Sequence, residues 1–488
     1  QTSLASVLPV DFEWSDLGAW DAVHRTGAGS LGPHILEDAD NCLIRSPDDV
    51  LVAAVGVSNI GVIVERDAVL VTDLSRAQDV KKLVERLKTM SPRHLDFTSR
   101  AEEKLEDAGI RYAAWMRQLA LPTWRTLGLS EDGAFEEALT LDGRQLAKPR
   151  RARVQARQIQ VYAQAGRHGW NGPWRSAVAA GLAWLDTHYI KDDGLMRTKL
   201  KASGEPLDET AALYDQAFFL LALATAARQD NASDYTEKAQ SVRNRLISVA
   251  GEGQGFIEAG PHPYQANAHM HLLEAALAWE PVDPDPAWCL LSDRIANLAR
   301  DVFIDEPTGF LREFFSPDWT PAAGRDGRLV EPGHQFEWSW LLTRYGLSRS
   351  NAWALQAGRD LFNRGLRGVE PIRGVAMDSM DVDGRILSRR ARLWPQTEWL
   401  KASLLLAQTE QEAERRDFYL DQASRALRGL WLYLTPTGLW RDTYLENGDF
   451  IDEPAPASSL YHLMGAYTQL NETLSALKPE LAPSLKLS

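Results

Sequence analysis

Six apolar runs, each opened by polar or ionisable residues, recur along most of this chain. They are VQARQIQVYAQA around Arg157, YDQAFFLLALATAA from Tyr214, HMHLLEAALAW around His271, GHQFEWSWLL with His334, WPQTEWLKASLLLA from Trp394 and LYHLMGAY around His462. The anchors fall at intervals of 57, 57, 63, 60 and 68 residues. Each interval holds a second helix and two loops, so the recurrence predicts six helical hairpins. A closed ring of six inner and six outer helices uses that number and aims six polar helix starts at one central pocket. An open solenoid is the alternative, but no distinct capping units stand out. The expected fold is mainly α, an (α/α)6 barrel, with a small N-terminal α/β or β-rich domain.

That N-terminal domain is read over residues 1–90. LVAAVGV (51–57), GVIVE (61–65) and AVLVTD (68–73) are short β-branched runs separated by Ser-Asn and Arg-Asp turns. SRAQDVKKLVERLK (75–88) carries helical spacing. A polar stretch, 91–110, reads as the linker, and 111–480 as the barrel. Convincing hairpins in the barrel are few; DDGLMRTKLKASGEP (192–206) is one.

The chain has 488 residues with a formal net charge of −14. An acidic chain lacks the basic face that nucleic acid or an anionic membrane surface needs, so neither is expected as a partner. No stretch reaches the apolar length that spans a bilayer. The start, QTSLASVLPVDFEW, lacks the charged-then-apolar pattern of a signal peptide, and Gln1 in place of methionine leaves room for sequence upstream. Cys42 and Cys289 form no motif and read as thiols of a reducing cytoplasm. A homodimer is compatible with all of this.

His334 and Glu337 share one helix face, in the first turn marked by Pro332 and Gly333. A carboxylate beside an imidazole supports a general acid or base near neutral pH; the alternative is a capping residue and a satisfied core histidine. His271 and Glu274 repeat the spacing. His269 and His271 share a face on a strand but not on a helix, which disfavours a histidine metal site. No H-E-x-x-H, P-loop or paired C-x-x-C occurs. His462 stands at an equivalent repeat position. Arg157, flanked by apolar residues, needs an anionic partner, either a developing oxyanion or a buried ion pair such as Arg153 could also make. Trp394, Trp338, Tyr214, Tyr162 and Trp440 offer stacking surfaces, or core packing. Asn267, Asp215, Gln396 and Glu398 offer hydroxyl ligands. Arg197, Lys199, Lys201 and Arg392 are candidates for a phosphate.

QARQIQVYAQA, LYDQAFFLLAL, NAHMHLLEA, PGHQFEWSWLL and LWPQTEWLKA, in this order, resemble the N-acylglucosamine 2-epimerase family over about residues 110–475. The resemblance implies an (α/α)6 barrel that interconverts sugars or sugar phosphates with no metal and no redox cofactor. It makes His334 and His462 the acid/base pair and Glu337 the partner of His334. Arg157 and His271 would bind substrate oxygens around C1 and C2. PASSLYHLMGAY looks like the mannose isomerase branch, because the epimerases tend to follow this step with an Asn/Val-x-Arg element. An aldose–ketose isomerase of mannose or mannose 6-phosphate, working through a cis-enediolate, is therefore expected ahead of a 2-epimerase. A glycosidase using Glu337 and Glu398 would want two facing carboxylic acids.

VDFEWSDLGAWDAV (10–23) is similar to the C-terminal part of mannose-1-phosphate guanylyltransferases, with Asp16 at the place of an aspartate near metal and sugar phosphate. The Gly-rich nucleotide loop of those enzymes is not in this chain, so guanylyl transfer is not expected. A non-catalytic, sugar-binding role in such an assembly is the reading from another class.

Overall fold

A computed structural model describes residues 20–25, 29–47, 50–65, 68–90, 103–230, 233–250 and 255–488. The chain divides into two compact units, residues 1–98 and 99–488. Asp16 lies outside the described residues.

The first unit is a short parallel coil. His34–Glu37 pairs in parallel with Val52–Val55, and Leu43–Arg45 with Ile60–Val64. Only Val69–Asp73 returns antiparallel, on Ile60–Val64. The Ser-Asn step is thus a corner between stacked rungs rather than a hairpin turn, a difference that alternation along single strands cannot reveal. The corners repeat with the coil. Asn41 and Asn59, eighteen residues apart, both take left-handed φ, and the Asn41 amide donates to Asn59 Oδ1 at 2.7 Å. Asn59 in turn donates to Asp73 at 2.7 Å. Asparagine tolerates this backbone region, and its side chain satisfies the next corner.

The second unit is the barrel. Its six inner helices are Ala152–Arg167, Leu213–Asp230, Ala266–Trp279, Pro332–Arg349, Leu393–Thr409 and Ser458–Leu477. Each packs on the next, and the sixth packs on the first, so the ring closes. Outer helices follow at Trp174–His188, Ser233–Ala250, Ala287–Leu298, Ala352–Leu366 and Ala413–Trp431. The sixth outer position is filled from the front of the unit by Leu105–Trp115, which begins inside the stretch read as a linker and packs on the last inner helix. The inner helices are apolar nearly all round, as a helix buried on every side must be; Ala217 to Ala224 are all buried.

Short antiparallel pairs lead into the inner helices, which the sequence showed clearly only at Lys199–Leu200 with Pro206–Asp208. Others are Tyr264–Gln265 with Phe314–Phe315, and Val369–Glu370 with Val375–Ala376. Their tight turns recur on glycines at positive φ, among them Gly133, Gly194, Gly309, Gly374 and Gly438. Runs this short carry no alternation to read.

What ties these turns to the helices is a repeated glutamine clamp. Gln155 accepts from the Phe135 amide and donates to its carbonyl, both at 2.7 Å. Gln216 does the same to Met196, Gln335 to Leu311 and Gln396 to Ala376. In the third hairpin the His269 ring accepts from the Phe256 amide at 2.9 Å. Gln396 is therefore a structural clamp and not a hydroxyl ligand. The ring is sealed where Ala138–Leu139 pairs with Ala455–Pro456 and Gln158 donates to the Ala457 carbonyl at 2.7 Å.

Replacing Gln335 by leucine leaves the buried Leu311 amide and carbonyl unpaired, each costing about 1–3 kcal/mol. Gln335→Leu is expected to lower stability by roughly 2–4 kcal/mol in denaturant melts. A loss below about 0.5 kcal/mol, within the usual surface range, would refute the clamp.

Candidate active site

The N-terminal ends of the inner helices surround a pocket of about 350 Å³. Arg157, Tyr214, Asn267, His271, His334, Glu337, Trp394 and His462 all line it. These eight site candidates thus meet in one cavity, because each stands in the first half of an inner helix. The helix ends that face the cavity carry partial positive charge, which favours negative charge developing there.

Trp394 stands beside both catalytic candidates, its ring centroid 5.0 Å from that of His334 and 5.7 Å from that of His462. Both imidazoles are buried and both are oriented through Nδ1, yet their environments differ. His334 Nδ1 donates to Glu313 at 2.8 Å. Burial disfavours its charge, but Glu313 and Glu331 outweigh burial and hold its pKa up at about 9. His462 Nδ1 donates to Glu398 at 2.8 Å. There burial dominates, Arg157 and Lys401 add to it, and the pKa falls to about 4. At neutral pH His334 is an imidazolium, and His462 is a neutral ring with Nε2 as its lone-pair nitrogen. Two titratable groups pushed apart in this way define an acid and a base.

The expected pairing of His334 with Glu337 is corrected here: Glu313, which precedes the short strand Phe314–Phe315, is the partner. Glu337 instead points to the barrel axis, its Oε1 4.0 Å from His271 Nδ1 and without a hydrogen-bond partner. Burial and the charge of Glu398 raise its pKa well above the usual range, so it is protonated. Glu398 resists burial because Lys401 donates to it at 2.6 Å and His462 at 2.8 Å, and its pKa is lowered. Lys401, itself 2% exposed, keeps its charge against burial through Glu398 and Glu274. His271 contacts Glu274 at 3.4 Å, Glu274 also accepts from the Tyr461 hydroxyl, and burial drives the His271 pKa to about 3.

Other candidates do not line the cavity. Glu398 is fully buried and committed to His462 and Lys401, so it orients the base instead of binding a hydroxyl. Asp215 is fully buried and accepts from the Arg153 backbone and guanidinium. Arg153 is held by that pair over the Tyr214 ring, 4.7 Å from its centroid, and positions the tyrosine. Trp338 is core, packed on Phe303. Tyr162 and Trp440 are core as well, Trp440 stacked on Trp124. Among the phosphate candidates, Arg392 lines the mouth, bonded to Asp378 and Glu331. Arg197 and Lys201 are engaged by Glu209 and Glu205, and Lys199 is not at the cavity.

Arg157 is anchored differently. It donates to the Tyr214 hydroxyl at 2.7 Å and lies 4.1 Å from the Phe218 ring centroid, while its Nε has no partner. A guanidinium packed on aromatic rings and short of acceptors is a ready ligand for a new oxyanion. Sequence reasoning missed Glu313, Glu331, Lys401, Asp442 and Arg151. Lys401 had a visible signal, a cation three residues after Glu398 inside an apolar run; Glu313 had none, lying in a loop.

His271, Glu274 and Glu337, and likewise Glu337, Glu398 and His462, bring ligand-type atoms within 4.8 Å of one another. Their donor sets are already spent on Tyr461, Lys401 and each other, and Glu337 is protonated, which suits a proton-holding cluster better than a cation cage.

The fold and site define an (α/α)6-barrel enzyme whose central pocket holds two buried histidines of opposite charge state. The N-acylglucosamine 2-epimerase (GlcNAc 2-epimerase) family model matches residues 133–466, and the chain belongs to this family. It is 42% identical over 376 residues to a mannose-6-phosphate isomerase of Rhizobium meliloti (strain 1021), covering 75% of this chain and 97% of that protein. Among solved structures, a D-mannose isomerase superposes with a TM-score of 0.68 at 20% identity, covering 78% of this chain and all of the other. The cellobiose 2-epimerase of Spirochaeta thermophila gives 0.67, also at 20% identity, over 76% and 98%. Residues 32–87 match a MannoseP isomerase/GMP-like beta-helix domain. A mannose-1-phosphate guanylyltransferase of Escherichia coli is 43% identical over 94 residues, only 20% of its length.

His334 gains its proton affinity from folding. Its pKa is raised above the unfolded value, so its contribution to stability is complete below about pH 6.5 and is lost as pH rises through about 9. In Glu313→Gln the titration of His334, followed by histidine NMR, is expected to fall from about 9 to 6.5 or lower, and this alkaline loss of stability should vanish. An unshifted midpoint would remove Glu313 from the role.

Proposed function

We propose that this protein is an aldose–ketose isomerase that interconverts mannose 6-phosphate or D-mannose with fructose 6-phosphate or D-fructose. The observation that carries the reading is the opposite protonation of His334 and His462 beside one tryptophan. The 42% identity to a mannose-6-phosphate isomerase directs it to mannose.

His334, as imidazolium, protonates the ring oxygen as the C1–O5 bond breaks, and the neutral imidazole it leaves takes the O1 hydroxyl proton, so that C1 becomes the aldehyde carbonyl. His462 Nε2 takes the C2 proton. The C–H electron pair becomes the C1–C2 double bond and the C1 carbonyl oxygen takes the negative charge. Arg157 and the inner-helix N-termini stabilise that cis-enediolate. His462 returns its proton to C1 on the same face, and the O2 hydroxyl proton passes to O1, leaving a ketone at C2. His271 and protonated Glu337 supply hydrogen bonds to the oxygens of C1 and C2. Arg151 and Arg392 are the cations at the mouth where a 6-phosphate would lie, although Arg392 must exchange Glu331 for it.

The rival is a 2-epimerase, in which His334 returns a proton to C2 from the opposite face. Tyr461-His462-Leu-Met-Gly favours the isomerase. We assign the N-terminal unit no activity, and we place the protein in the cytoplasm on its two free cysteines.

Proton NMR in D2O with D-mannose and with mannose 6-phosphate should show ketose and deuterium at C1. A C2 epimer as first product would make the enzyme an epimerase, and no exchange with either sugar would end the proposal. His462→Asn and His334→Asn are each expected to cut kcat by about 10²–10⁴. The His334 variant should retain C2 exchange better than the His462 variant; the reverse order would swap acid and base.

A further inference from the structure

The barrel has a second mouth. At the C-terminal half of the inner helices a cavity of about 240 Å³ is lined by side chains from all six of them. Three guanidiniums converge there, Arg167, Arg228 and Arg344. An arginine near a helix C-terminus ordinarily answers its own helix's free carbonyls. These three do little of that. Arg228 makes one long bond, 3.3 Å, to the Ala278 carbonyl. Arg344 lies over the Trp340 ring, 4.5 Å from the centroid, and Arg167 is 3.9 Å from Glu472. Burial lowers the pKa of Arg228, and the charges of Arg167 and Arg344 lower it further. On the same wall Gln160 is 3% exposed and its Oε1 has no partner. The side-chain amide can present either its oxygen or its nitrogen to a ligand.

The floor of this cavity is the back of the catalytic layer. Lys401, Glu274 and Tyr461 line it, and Lys401 donates to the same Glu398 that orients His462. Charge placed in the second mouth is therefore felt at the base.

We propose that this mouth binds a small phosphoryl-bearing anion, and that occupancy raises the proton affinity of His462 through Lys401 and Glu398. Three convergent guanidinium forks match phosphoryl oxygens, and the anion relieves their mutual repulsion. An added negative charge favours protonated Lys401 and protonated His462, so the acid limb of the rate profile moves to higher pH. Only this kinetic arm rests on the isomerase reading.

The test titrates inorganic phosphate, and separately pyrophosphate, into the full chain by calorimetry at constant ionic strength. The expected result is a site at the second mouth, beside the one that the mannose 6-phosphate reading places at Arg151 and Arg392, weakened at least about tenfold in Arg228→Gln/Arg344→Gln, a loss of one or two charge-assisted bonds. Arg157→Ala/Arg392→Gln, altered only at the other mouth, should keep this site at its wild-type affinity. Wild-type affinity at every site in the first pair, or loss of all binding in the second, overturns the proposal. Should the first pair not fold, Arg344→Lys, which keeps charge and loses the fork, must still weaken binding; unchanged affinity overturns it equally. Tighter pyrophosphate points to a diphosphate ligand and tighter orthophosphate to a monoester or free phosphate, and either supports the site. With turnover as readout, phosphate should shift the acid limb in the wild type and not in the Arg228/Arg344 variant; equal shifts in both would sever the link.

Discussion

The Lys401–Glu398 ion pair on the barrel axis is the interaction on which the site depends. A closed ring of apolar helices leaves a dry axis, and charge there is costly unless paired and hydrogen-bonded. Glu398 meets that condition by accepting from Lys401 and from His462 Nδ1. With Glu398 ionised, Glu337 cannot also ionise and stays protonated, while Glu274 is held ionised by Tyr461, His271 and Lys401. One buried cation thereby decides which of three glutamates carry charge. Burial keeps His462 neutral against the pull of Glu398, and the bond from Nδ1 to Glu398 leaves Nε2 as its free nitrogen.

His334 lies at the rim of the same pocket and has the opposite character. Glu313 and Glu331 outweigh burial at His334, whereas Arg157 and Lys401 add to burial at His462. The two histidines thus differ by electrostatic environment and not by residue type. Trp394 lies against both rings, tilted by 39° to His334 and by 38° to His462.

The glutamine clamps solve a different problem in the same fold. Each inner helix must start at a fixed depth for its first turn to reach the pocket. A bidentate bond from one side chain to one backbone residue of the preceding turn fixes that depth and satisfies two buried polar groups together. Four hairpins use glutamine and the third uses His269, which explains why an H-x-H occurs there without a metal role.

The sequence by itself determined the barrel, its six units and the cluster of Arg157, Tyr214, Asn267, His271, His334, Glu337, Trp394 and His462, because helix periodicity and repeat register are local and survive in one dimension. It also carried the clamps, as a glutamine recurring at helix starts, although their meaning needs the loop they bind. The tertiary structure alone decided the partners. Glu313 and not Glu337 holds His334, Glu398 holds His462, and Asp215, Arg153 and Trp338 serve as support. These assignments rest on distances between elements far apart in the chain and on burial, which sets the sign of each pKa shift. Parallel stacking in the N-terminal coil was hidden for the same reason: a strand's sequence records which side is apolar, not which neighbour lies beside it.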